Sequence, residues 1–138
     1  MAHPAGFDVE MTGSLDQGIE TATAALRREG FGILTRIDVH RAFAEKLGRE
    51  FRPYVILGAC NPALAFRALT ARPEAGLLLP CNVVVEEVSP GRCLVRIIDP
   101  AEMMKAGGLD RDPELSSVGA EADARLRRVA EDLRSVPV

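Results

Sequence analysis

Tryptophan is absent from this chain of 138 residues, Tyr54 is its one tyrosine, and His3 and His40 are its two histidines. With so few imidazoles, no Ser-His-Asp or Cys-His arrangement can be built, and no pair of histidines stands at a metal-binding spacing. There is no CxxC. The glycines at 30, 32, 58, 76, 107 and 108 have none of the spacings of a phosphate-binding loop. No basic run occurs, and the net charge is -3, so nucleic acid is an unsuitable partner. No apolar run reaches the roughly 20 residues of a membrane helix, and no membrane association is expected. The stretch from Met1 to Phe7 has neither a basic region nor an apolar core, so no signal peptide is expected. An odd count of three cysteines without export signals points to free, reduced thiols and a cytoplasmic location.

What remains is ordinary globular composition, 47% hydrophobic and 27% charged. At this length a single domain over 1–138 is expected, with its core at about 7–134 and a loose start at 1–6 that leaves His3 solvated. Alternation and helical periodicity predict strands near 7–12, 31–37, 54–58, 82–88 and 93–99, and helices near 14–29, 39–48, 62–71 and 113–134. Ser14 and Gln17 form a capping-box pattern, and Gly30 suits a left-handed helix end. Asp38 and Asp112 suit helix N-caps. His40 reads as an exposed polar residue, and Met103 and Met104 as packing residues. The expected fold is a two-layer α+β domain with a mixed sheet of about five strands packed with helices.

The chain is organised around Tyr54-Val55-Ile56-Leu57-Gly58-Ala59-Cys60-Asn61-Pro62. It reads as a buried strand, a small-residue exit, and a thiol at the start of a helix. Asn61 is a good N-cap and Pro62 a good first helical residue. Cys60 thus stands beside the positive end of a helix, a setting that lowers a thiol pKa. A second Cys-Asn pair, Cys81-Asn82, opens the next strand. If the two ends lie together, two thiols and two amides share one rim, able to hold a soft metal at Cys60 and Cys81 or to cycle as a disulfide. Arg52, Tyr54, Asp38 and Asp99 are candidate rim neighbours, with Asp99 supporting Asn82 if the hairpin register sets them opposite.

The hairpin turns at Ser89-Pro90-Gly91-Arg92, in a loop of about four residues of type I or II. Its strands read as apolar on both sides. Val84, Val88, Val95 and Ile97 are assigned to one face, and Val83, Val85, Leu94 and Ile98 to the other. Helices cover one face; a second subunit or the long last helix covers the other. A closed two-fold dimer is the favoured solution.

Several runs carry a family resemblance: Gly30-Phe31-Gly32-Ile33-Leu34-Thr35, Phe51-Arg52-Pro53-Tyr54, Leu57 to Pro62, Gly76 to Val85, and Ile98-Asp99-Pro100 with Met103-Met104. In these, over roughly Phe7 to Leu133, the chain resembles the domain-of-unknown-function family 302. The resemblance implies a compact α+β domain, bacterial or archaeal, seen as homodimers, with no settled activity and no catalytic residues to carry over. Three functional readings follow. The first is a homodimeric binding module that holds a small ligand or soft metal at the Cys-Asn rim. The second is a thiol-dependent redox enzyme using Cys60. The third is a purely structural or protein-interaction domain.

Overall fold

The computed structural model describes residues 2–136. The elements run β1 (Ala2–His3), β2 (Gly6–Thr12), α1 (Leu15–Arg28), β3 (Gly32–Asp38), α2 (Val39–Leu47), β4 (Tyr54–Cys60) and α3 (Pro62–Ala71). A 3-10 segment at Pro73–Leu78 leads to β5 (Cys81–Ser89), β6 (Arg92–Ile98) and α4 (Pro100–Ala106). A short 3-10 turn at Leu109–Arg111 then precedes α5 (Pro113–Arg134). This is the expected α+β fold, with the five expected strands present.

The helix ends follow their sequence signals. Ser14 and Gln17 form the reciprocal box: Gln17 N–H donates to Ser14 Oγ at 3.2 Å and Ser14 N–H to Gln17 Oε1 at 2.8 Å. Asp112 Oδ1 accepts the N–H groups of Glu114 and Leu115 at 2.9 and 3.2 Å. Asp38 departs from its expected role, since its side chain makes no cap hydrogen bond. Arg36 Nε donates to it at 2.9 Å instead, and that bond holds the Asp38 carboxyl below the ordinary aspartate range.

Three expectations are corrected. The sheet is not mixed: its order is β1-β2-β6-β5-β4-β3, and every pairing is antiparallel. The helices between β3 and β4, and between β4 and β5, return the chain beside the strand it left, which reverses direction at each step. The start of the chain is not loose throughout. Ala2–His3 pairs with the beginning of β2, and His3 Nε2 lies 2.8 Å from Asp8 Oδ1.

The third correction concerns the hairpin faces. Val83 opposes Ile97, and Val85 opposes Val95, so these four share one face. Val84 and Arg96 oppose each other on the second face, with Leu94 opposite Glu86. The turn explains the slip. Pro90 and Gly91 alone join the strands, and Gly91 takes φ 78°, the conformation that the third position of a type II turn requires. Such a turn twists against the sheet, and an irregularity between Glu87 and Ser89 absorbs the mismatch by resetting the register.

One face therefore carries the core. Phe7, Val9, Val95, Ile97, Val83, Val85, Val55 and Leu57 pack beneath α1 and α5, meeting Ala22, Leu26, Leu126, Val129 and Leu133. The last helix lies on this face and does not wrap to the other. A smaller cluster of Leu64, Ala68, Met104, Leu115 and Val118 joins α3, α4 and the first half of α5 beyond the sheet end.

The second face has no helical layer of that kind and is divided. Its centre is ionic. Glu86 is buried, at 1% exposure, and receives Arg52 Nε at 2.6 Å and Arg96 Nε at 3.1 Å. Arg96 continues to Asp8 at 2.8 Å, and Asp8 to His3. Arg52 also lies over the Phe51 ring, which meets Phe43 edge-on at 5.3 Å and Tyr54 at 5.9 Å. His40 is not free at the surface: its Nδ1 accepts the Tyr54 N–H at 3.0 Å and ties α2 to β4. Toward β3 the same face is apolar, with Ile37 opposite Ile56 and Ile56 opposite Val84.

Burial alone would push the Glu86 carboxyl up, but the hydrogen bonds from Arg52 and Arg96 outweigh it and bring it below the ordinary glutamate range. A carboxylate depressed in the fold contributes stability that is complete above its unfolded pKa and is lost as pH falls through the folded one. Glu86→Gln is expected to cost on the order of 1–3 kcal/mol at neutral pH, because it leaves two guanidinium groups short of a charged acceptor. It is also expected to flatten the acid limb of stability. Urea unfolding at a series of pH values checks both; an unchanged acid limb would remove Glu86 from its assigned role.

Candidate functional site

β4 and β6 finish, and β5 begins, at one end of the sheet. α3, α4, α5 and the 3-10 segment at Pro73–Leu78 close over that end. Between them lies a cavity of about 40 Å³. Its wall includes Phe31, Cys60, Asn61, Leu64, Leu78, Cys81, Ile98, Met103, Met104 and Gly119. Charged side chains are missing from this wall, and Asn61 supplies its one amide.

Cys60 is the last residue of β4 and is partly exposed; Cys81 is the first of β5 and is buried. Cys81 pairs with Ala59, so Cys60 stands one residue beyond it, diagonally across the ladder. No disulfide joins Cys60, Cys81 or Cys93. Asn61 caps α3 as expected, its Oδ1 accepting the Leu64 N–H at 3.2 Å. From the far wall, Met104 packs against Gly119, where an added Cβ would lie 3.3 Å from Met104 Cγ.

The electrostatics reverse the sequence-based expectation for Cys60. Burial pushes the Cys60 thiol up rather than down. The helix start is already spent: Pro62 has no N–H, and Asn61 takes the N–H of Leu64. Cys81 is pushed up to about 11, first by burial and then by the charge of a neighbouring Cys60 thiolate. Cys93 lies elsewhere, in β6, donating its thiol to the Gly13 carbonyl at 3.3 Å, and burial raises it too.

Of the residues the sequence grouped, Cys60, Asn61 and Cys81 meet at the cavity. Asn82 is exposed, opposite Gly58, and does not line it. Asp99 caps α4 by accepting the Glu102 N–H at 2.9 Å and lies 3.8 Å from Arg127, so it serves the helix rather than Asn82. Arg52, Tyr54 and Asp38 belong to the opposite end of the sheet. Tyr54 opens the strand that Cys60 ends, and Asp38 pairs with Val55. Six strand steps of roughly 3.3 Å put Tyr54 and Cys60 about 20 Å apart, a separation the strand assignment already implied. The sequence reading missed Met103 and Met104 as cavity residues. A helix starting directly after β6 was the available signal, since it returns its first turns to the strand end. Among the described residues, no group of three or more His, Cys, Asp or Glu is placed to hold a metal ion. No helix among them is long and apolar enough to cross a membrane.

Comparison with known proteins agrees with this architecture. A comparison with curated proteins gave no match. The crystal structure of an uncharacterised conserved DUF302 protein from Bacillus stearothermophilus is similar, with a TM-score of 0.79 and 31% identity. The match covers 93% of this chain and 97% of that one. The model of the family described as domain of unknown function DUF302 matches residues 7–133, and the chain belongs to that family.

Proposed function

We propose that the protein is a homodimeric binding module that takes a small ligand or soft metal ion in the cavity at Cys60, Asn61 and Cys81. The observation that carries this reading is the convergence of both cysteines on one partly open, uncharged cavity. The thiol-enzyme alternative draws less support. A nucleophilic thiol needs a lowered pKa, and both cavity thiols are raised. Three free thiols and a net charge of -3 support a reducing, cytoplasmic setting without nucleic acid.

The dimer reading moves to a new surface. Val83 and Val85 are fully buried under helices and cannot pair subunits. The apolar part of the second face, Ile37, Ile56 and Val84, takes their place, bordered by exposed Leu34 and Phe51. Covering a side chain of this size fully gains roughly 1.5–3 kcal/mol. The ionic centre at Glu86 supplies a polar flank, as a self-complementary patch requires.

Two measurements test the two halves. A panel of small molecules and soft metal ions is scanned by thermal shift, followed by native-state alkylation of Cys60. A ligand of this site is expected to raise Tm and slow Cys60 alkylation by about tenfold. A panel in which nothing slows it overturns the cavity reading. For assembly, the wild type is expected to sediment at twice 14.9 kDa at tens of micromolar. Ile37→Lys is expected to give a folded monomer, and Val85→Lys an unfolded chain. A monomeric wild type overturns the dimer.

A further inference from the structure

The geometry points to a cuprous-ion site in this cavity, with the Cys60 and Cys81 thiolates and the Met103 and Met104 thioethers as its ligand set. The inference rests on the cavity reading and names the chemical class of its occupant.

Four sulfur-bearing residues from three elements line one small space: Cys60 ends β4, Cys81 starts β5 near enough to feel its charge, and Met103 and Met104 lie on α4. Soft thiolate and thioether donors select Cu(I). Zinc sites are completed by imidazole, carboxylate or further thiolates, and no His, Asp or Glu lines this wall. Hard cations need oxygen ligands, and Asn61 is spent on the helix cap.

Volume narrows the choice further. A cavity that accepts benzene measures about 150 Å³, and one water needs roughly 10–15 Å³. At about 40 Å³ the space is too small for an organic ring. It is also poorly suited to water, which needs two to four polar partners. A single ion with its bonds to sulfur fits the space and its chemistry. Met side chains have three rotatable bonds, so the thioethers can close on an ion without backbone movement.

The charge and bond balance is simple. Two S–H bonds break, two Cu–thiolate bonds and two dative Cu–thioether bonds form, and two protons leave to solvent. The copper stays cuprous, and no electron is transferred. The resulting bis-thiolate centre carries one net negative charge.

The test is an anaerobic titration of the reduced full-length protein with Cu(I) held by the colorimetric chelator bicinchoninate. The protein is expected to withdraw one equivalent, to develop a thiolate-to-copper charge-transfer band, and to give a sulfur-only shell by X-ray absorption. Cys81→Ala is expected to lower affinity by more than tenfold. The double variant Met103→Leu/Met104→Leu keeps side-chain volume and is expected to fold normally while losing affinity about tenfold. Copper left wholly on the chelator overturns the inference, as does a double Met variant that binds like wild type. If copper stays on the chelator while another panel member slows Cys60 alkylation, the cuprous site fails and the cavity reading stands. If nothing slows alkylation, both fail.

Discussion

The register of β4 against β5 is the constraint on which the rest depends. Leu57 faces Val83 and Ala59 faces Cys81 across this ladder. Because strand side chains alternate between faces, a slip of one residue would exchange Val83 and Val85 for Val84 and Glu86 beneath the helices. It would place a carboxylate where Val85 now packs beside Gly18 of α1, and remove Cys81 from the sheet end. Core and cavity are therefore set by one choice. The core specifies it, since only the observed register leaves the helical face wholly apolar.

The second face holds its register differently. Glu86 cannot be buried as an ion without partners, and it has two, Arg52 on one side and Arg96 on the other. Arg96 comes from β6 and Arg52 from the segment before β4, so the carboxylate ties three consecutive strands where no apolar layer covers them. It also divides the face. Charge gathers over β2 and β6, and apolar side chains gather over β3 and β4. The division is a consequence of order: Asp8 and Arg96 are paired across β2 and β6, while Ile37 and Ile56 are paired across β3 and β4.

Helices and their ends were legible in the sequence because their signals are local. A capping box, a proline in the first turn or a glycine at a helix end involves residues within one turn of each other. Strand phase in the hairpin was not legible. Val83-Val84-Val85 carries no alternation, so period-two reasoning has nothing to lock onto, and the irregularity at Glu87 shifts the count again. The site was half legible. Two Cys-Asn pairs at element ends marked Cys60, Asn61 and Cys81, but strand direction was needed to see that Tyr54 and Arg52 lie at the other end. Met103 and Met104 needed the tertiary return of α4, for which the helix start directly after β6 was the one local sign.

The helix start beside Cys60 shows why a favourable motif does not settle a chemistry. A helix dipole acts through N–H groups that remain unpaired in the first turn. Here Pro62 removes one such group and Asn61 consumes another, so the features that make this a good helix start also weaken its pull on the thiol. Desolvation then decides the direction. It raises Cys60, and it raises Cys81 further, with a Cys60 thiolate adding to the effect. A free thiolate nucleophile is disfavoured twice over in such a place, by the loss of water and by its neighbour's charge. The same enclosure that removes water also brings Cys60, Cys81, Met103 and Met104 to one small wall, and an arrangement of that kind suits holding an occupant better than attacking one.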